Sequence, residues 1–190
     1  QKYQLFFKKN NTIKEFTLVD QTPSRIKLLK SINKSLMQTS HKYIIELKNN
    51  SISDKLDKIN SRVENFVEVN QAIALKGDKS LSVKKEFNPN YHKLIDGKHI
   101  NKYTLNWGGD YLDYDVEKIH SCKRKDIFEI DKKLFFRRVS SNLVFTYDNQ
   151  KYFALNTLIV VNLLPGIKIP IKSFLAILNS KLLNYYYTNK

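Results

Sequence analysis

Two adjacent arginines are the residues best placed to do chemistry in this sequence. Arg137 and Arg138 stand inside an otherwise apolar run, Leu134-Phe135-Phe136-Arg137-Arg138-Val139. A guanidinium presents a planar fork of donors that fits the O6 and N7 edge of guanine, or a phosphate. Side chains of a strand alternate between its faces, so one arginine shares a face with Phe135 and Val139, the other with Phe136. A charge held in such a strand is costly unless it is engaged, by a ligand or by a structural carboxylate. The pair closes the richest basic stretch, residues 122–141, where Lys123, Arg124, Lys125, Lys132, Lys133, Arg137 and Arg138 face only Asp126, Glu129 and Asp131. Two asparagines follow: Asn142, just past the strand, and Asn156, before the apolar run Leu158-Ile159-Val160-Val161. An Asn side chain can pair bidentately with adenine or satisfy backbone groups in a bend. The segment 70–79, polar at both ends, with Lys76 and Gly77, is a loop suited to reach into a groove.

Residues for bond-making chemistry do not assemble into a pattern. Asn88-Pro89-Asn90-Tyr91 approximates the Asn-Pro-Pro-Tyr motif of amino-methyltransferases, yet Asn90 replaces the second proline and no Gly-rich loop precedes it. A turn is the better reading. His120 and Cys122 lack the second ligand pair that zinc requires. His41, His92 and His99 show no nucleophile–base spacing. Asp110, Asp113 and Asp115 do not match the acidic spacing of a common nuclease centre. No catalytic residue and no metal ligand is therefore expected in this stretch of chain.

The chain has 190 residues, with 33 Lys and Arg against 18 Asp and Glu, a formal net charge of +15. Self-repulsion at that charge points to a polyanionic partner, although a Lys- and Asn-rich composition can also arise without one. With 42% hydrophobic and 12% aromatic residues, it can fill a core. Only 5 Gly and 4 Pro argue against long disordered segments. A single cysteine excludes an internal disulfide and fits a cytoplasmic location. The apolar runs are too short to span a bilayer, and no membrane association is expected. The sequence starts at Gln1 and ends inside a helical pattern at Lys190, as expected of a piece of a longer protein.

The elements that must position these residues are short. Residues 3–8 and 12–19 around Asn10-Asn11 suggest a hairpin. A helix is predicted from Thr22-Pro23-Ser24, with Ile26, Leu29, Ile32, Leu36 and Met37 at helical spacing, and a second from Ser53, with Leu56, Ile59 and Val63. Strands are predicted at 66–69, 81–83, 103–107, 134–139, 143–147 and 151–161, with Asp148-Asn149 as a hairpin tip between the last two. Residues 171–187 form a closing helix. The fold class is α+β, a twisted, mostly antiparallel sheet flanked by helices, with an N-terminal β-hairpin and a helical connector.

Five segments in order, over residues 66–187, resemble the TaqI-like C-terminal specificity domain of type IIG restriction–modification enzymes and adenine-specific DNA methyltransferases. The first is Val67-Glu68-Val69-Asn70-Gln71-Ala72-Ile73, followed by Ala74-Leu75-Lys76-Gly77, with Ala72 in place of the usual Gly and Leu75 in place of the usual Thr. Next comes Leu94-Ile95-Asp96-Gly97-Lys98-His99-Ile100-Asn101-Lys102-Tyr103, where His99 replaces an acidic residue. Then follow Phe135-Phe136-Arg137-Arg138-Val139-Ser140-Ser141-Asn142-Leu143 and Ala154-Leu155-Asn156-Thr157-Leu158. The last is Leu175-Ala176-Ile177-Leu178-Asn179-Ser180-Lys181-Leu182-Leu183-Asn184.

The resemblance implies residues 61–190 as a double-stranded DNA target-recognition domain. Residues 1–60 would be the tail of a preceding methyltransferase-like domain plus a helical connector, that domain being the partner within the same parent chain. S-adenosylmethionine, with Mg as a further candidate, is implied for the parent enzyme and no cofactor for this fragment. The parent would methylate adenine, with or without cutting DNA. Lys76, Lys98, Lys123 and Lys125 would contact phosphates; Arg137, Arg138, Asn142 and Asn156 would reach base edges or shape the recognition surface. The alternatives are a specificity subunit of a type I restriction system and a generic basic RNA- or DNA-binding structural domain.

Overall fold

A computed structural model describes residues 3–6, 15–22, 25–33, 51–59 and 61–189. The chain divides into two compact units, Gln1–Lys58 with Tyr186–Lys190, and Ile59–Tyr185. In the first, β1 (Tyr3–Phe6), β2 (Glu15–Thr22) and β3 (Arg25–Asn33) form an antiparallel sheet in that order. The strand pair expected at the N-terminus is present, while its Asn10-Asn11 turn lies outside the described residues. The helix predicted from residue 23 is not formed: residues 25–33 pair with β2 along their length. Ile26 and Leu28 also fit a period of two, and the β-branched Ile26 and Ile32 favour the strand. Helix α1 (Ser51–Asp57) starts two residues before Ser53, which therefore lies inside it and does not cap it, and it ends before Ile59 and Val63, expected on its face.

The second unit holds β4 (Val67–Gln71), β5 (Ala74–Leu75), β6 (Val83–Lys84), β7 (His92–Ile95), β8 (Ile100–Asn101), β9 (Thr104–Leu105), β10 (Tyr111–Leu112) and β11 (Ile119–Ser121). It continues with a short helix α2 (Asp126–Glu129), β12 (Lys133–Arg137), β13 (Phe145–Asp148), β14 (Phe153–Ala154), β15 (Leu158–Leu163), α3 (Ile171–Leu178) and the first part of α4 (Lys181–Asn189), whose residues from Tyr186 on are counted with the first unit. The class is α+β, with antiparallel pairing dominant. In place of one large sheet, the strands divide into small ones, of which β13-β12-β15-β4 and β14-β7-β10-β6 each have four strands.

The sheet β13-β12-β15-β4 separates two cores, as strand alternation requires. Phe135, Leu158 and Val160 face one core with Leu94, Ile95, Ile100, Phe128 and Phe153. Leu134, Phe145 and Val161 face the other, covered by Ile171, Phe174, Leu175 and Leu178 of α3. The closing helix is broken at Asn179-Ser180 into α3 and α4: the Asn179 side chain bonds to β13, and Ser180 Oγ accepts from the Leu183 N–H at 3.2 Å at the start of α4.

One predicted hairpin is replaced by a crossover. β13 pairs with β12, and β14 pairs in parallel with β7. Asp148 causes the diversion: its carboxylate accepts from the backbone N–H of Gln150 at 2.7 Å and of Tyr152 at 3.1 Å, turning the chain into the other sheet. Asp148 and its register partner Lys133 form an ion pair at 2.6 Å, both side chains 0% exposed. The Lys133 ammonium also donates to the Phe128 carbonyl at 2.6 Å and to that of Ile130 at 3.3 Å. Burial pushes its pKa down, against the pull of Asp148. Asn88-Pro89-Asn90-Tyr91 is an ordinary turn: Asn88 Oδ1 accepts from the Asn90 N–H at 2.9 Å, and the Tyr91 N–H donates to the Asn88 carbonyl at 2.9 Å.

Candidate nucleic-acid interface

The site is built where the end of β12 meets the turn between β7 and β8. Asp96-Gly97-Lys98-His99 closes as a single 3-10 turn with reciprocal capping. Asp96 Oδ1 accepts from the Lys98 N–H at 3.0 Å, and His99 Nδ1 accepts from the Asp96 N–H at 3.0 Å. A box of this kind needs an acceptor at its third helical position, and Nδ1 supplies what a carboxylate otherwise would. This gives a physical role to His99, which the sequence left without one. Gly108 is required beside it, since a Cβ there would collide with His99 Nε2.

Arg137 ties this turn to the sheet. Its Nε donates to the Gly97 carbonyl at 3.0 Å, and Nη2 donates to the Ile100 carbonyl at 2.6 Å and to Asn101 Oδ1 at 3.3 Å. Arg137 thus lies on the Phe135 face of β12 and meets carbonyl oxygens, not the carboxylate a structural arginine commonly finds. Thr157 Oγ1 accepts from the Gly97 N–H at 2.9 Å and fixes the turn from the opposite side.

Between these parts opens a cleft of about 620 Å³, lined by Gly97, Lys98, Arg137, Arg138, Val139, Asn156 and Thr157. Three lining residues are cationic and none is acidic. The Lys98 side chain is 70% exposed, with its ammonium 3.8 Å from Asp96. Arg138 is exposed; its backbone N–H donates to the Thr157 carbonyl at 2.9 Å, and its guanidinium has no hydrogen-bond or ion-pair partner among the described residues. Asn156 sits in the turn before β15, held by its N–H on the Ile73 carbonyl at 2.8 Å.

The cleft therefore gathers Lys98, Arg137, Arg138 and Asn156, and the other sequence candidates lie off it. Asn142 braces the loop behind the rim: its Oδ1 accepts from Asn184 Nδ2 at 3.0 Å, and the neighbouring Leu143 N–H donates to Asn184 Oδ1 at 2.9 Å. Lys76 is exposed beyond β5, where its N–H bonds to Lys118. Lys123 is exposed, with its carbonyl accepting from the Tyr114 hydroxyl at 2.8 Å. Lys125 pairs with Glu129 at 3.4 Å and lies 5.8 Å over the Tyr114 ring.

Three of the seven cations of the basic stretch are paired with carboxylates: Arg124 with Glu68 and Asp126, Lys125 with Glu129, and Lys133 with the buried Asp148. Sequence reasoning missed Val139, Thr157, Asn179 and Asn184. Val139 was placed inside a strand that ends two residues earlier, and the asparagine contacts join segments about 34 to 42 residues apart.

A family model described as the TaqI-like C-terminal specificity domain matches residues 92–190, which include β7, the turn carrying Lys98, and β12. The chain belongs to this family. Membership makes it a DNA-recognition specificity domain of restriction–modification enzymes. No curated protein matches the chain. The specificity domain thus carries its cationic cleft wholly within the matched span.

The same residues do not fit the Mg implied for a parent enzyme. The cleft lining has no carboxylate to hold Mg. Among the described residues there is no group of three or more His, Cys, Asp or Glu that could hold a metal ion. His120 is exposed and Cys122 half-buried, its thiol pushed up in pKa by burial. Among the described residues, no helix is long and apolar enough to cross a membrane.

Proposed function

We propose that this chain is the duplex-reading part of a type II, IIG-like, restriction–modification enzyme or adenine-specific DNA methyltransferase, and that the cleft between the Asp96–His99 turn and the end of β12 is where it meets DNA. Residues 61–190 would form the recognition domain, and residues 1–60 the tail of a preceding methyltransferase-like domain with its connector. The methyl donor and any Mg would belong to that partner domain, with no catalytic centre in this fragment. A cytoplasmic location goes with this reading.

The carrying observation is the cleft itself, lined by Lys98, Arg137 and Arg138 without a carboxylate and lying inside the family-matched span. Lys98 would hold a phosphate, with Lys76 and Lys123 as outlying phosphate contacts and Lys125 weakened in that role by Glu129. Arg138 and Asn156 would face base edges, with Arg137 and Asn142 shaping the surface that presents them. The match to a TaqI-like family favours this placement over a type I specificity subunit.

The test is binding to a panel of duplexes at several salt concentrations. The expected result is one preferred sequence, with affinity falling linearly on a log–log plot against salt. Binding that is absent, or indifferent to salt, would overturn the reading.

A further inference from the structure

Arg138 and Val139 are consecutive, both line the cleft, and neither is explained by the fold. Every other arginine whose contacts are described in this region has partners: Arg124 has Glu68 and Asp126, and Arg137 has Gly97, Ile100 and Asn101. The Arg138 guanidinium has none among the described residues. Val139 is 87% exposed, the most uncovered large apolar side chain described in the molecule. A branched aliphatic group has few rotamers, so it presents a fixed apolar surface to whatever enters.

The loop carrying these residues is held at both ends. The Arg137 N–H donates to the Val144 carbonyl at 3.3 Å, and the Arg138 N–H to the Thr157 carbonyl at 2.9 Å. On the return side, Asn184 takes Asn142 and Leu143, while Asn179 brackets Phe145 through Oδ1 at 3.0 Å and Nδ2 at 2.9 Å. Asn179 is only 4% exposed, so its side-chain amide acts as a substitute strand for the edge of β13. A loop fixed this way loses little conformational entropy when a ligand arrives.

The two side chains ask for different features of a duplex, and one groove offers both. A guanidinium fork matches the guanine O6 and N7 acceptors, and an exposed aliphatic group matches the thymine 5-methyl; both lie in the major groove. We infer that the loop 138–142 reads a guanine and a thymine of neighbouring base pairs from the major groove, Arg138 taking the guanine and Val139 the methyl. The inference rests on the DNA-reading assignment above and goes beyond it by naming the bases.

The experiment selects duplexes from a randomised library with the 190-residue chain. It then replaces each selected guanine by 7-deazaguanine and each thymine by uracil, analogues that keep Watson–Crick pairing and remove only N7 or the methyl. Guanine and thymine are expected in neighbouring pairs. The 7-deazaguanine duplex should bind about 10- to 100-fold more weakly to the parent chain and equally to Arg138→Ala. Uracil should weaken the parent about fourfold, the transfer energy of one methyl group, and leave Val139→Ala unaffected, whereas Val139→Ile keeps the sensitivity. Both substituted side chains are exposed, so equal melting of parent and variants is expected. A selected sequence without guanine, or analogue penalties that persist in the variants, overturns this inference alone. Failure to bind any duplex overturns the DNA-reading assignment with it.

Discussion

At Arg137 a single guanidinium supplies donors to Gly97, Ile100 and Asn101, and so holds together two segments of chain that form opposite walls of the cleft. A charged donor bonded to backbone carbonyls contributes more than a neutral one, and its removal leaves the carbonyls unsatisfied. Arg137→Ala is therefore expected to lower stability by about 2–3 kcal/mol in urea unfolding. Arg137→Lys should recover little, because an ammonium lacks the fork that spans separated acceptors. Arg138→Ala, at an exposed position without a partner among the described residues, should leave the unfolding midpoint unchanged. Equal losses at the two positions would contradict this division of labour. The pair was legible in the sequence as a costly feature needing an explanation. Its division was not, because the acceptors of Arg137 lie 36 to 40 residues upstream and no local pattern announces them.

Among the elements, the β12–β13 hairpin carries the cleft rim at one end and the buried Lys133–Asp148 pair at the other. Breaking a buried pair strands the remaining charge, so Asp148→Ala is expected to cost about 3–5 kcal/mol by denaturant unfolding. A loss below about 1 kcal/mol, typical of exposed pairs, would show that the pair does not hold the hairpin. β7 has a pH-dependent counterpart. His92 stacks on Phe153 with ring centroids 4.0 Å apart, and burial, reinforced by Lys125, pushes its pKa below the ordinary value, while Glu129 pulls the other way. As pH falls, the unfolded chain takes up this proton first. The contribution is therefore complete above the ordinary histidine pKa of about 6.5 and is lost on acidification toward the lower folded-state value. Stability should drop as pH falls below about 7, and His92→Gln should flatten that drop; identical pH profiles would contradict the assignment. Strand alternation and the amphipathic closing helix were readable because burial imposes their periods. The Asp148 hairpin tip misled because Asp and Asn favour any turn, and a turn that feeds another sheet looks the same in sequence.

Across the whole molecule, the net charge of +15 is distributed in a way composition does not reveal. Three of the seven cations in the densest basic stretch are neutralised by carboxylates, Arg124 by Glu68 and Asp126, Lys125 by Glu129, and Lys133 by Asp148. The cleft gathers Lys98, Arg137 and Arg138 with no carboxylate among its lining residues, Asp96 standing 3.8 Å from the Lys98 ammonium. The sequence therefore pointed to a polyanion and to the family, while the location of the binding surface depended on which cations find acidic partners in three dimensions. The most direct test of that location is the salt dependence of duplex affinity for the parent chain and for Lys98→Ala/Arg138→Ala. The double variant is predicted to bind more weakly and to show a log–log salt slope reduced by roughly one, for the lost phosphate contact of Lys98, with Arg138 costing affinity at its base edge. A slope equal to that of the parent would contradict the assignment of the cleft as the DNA-binding face.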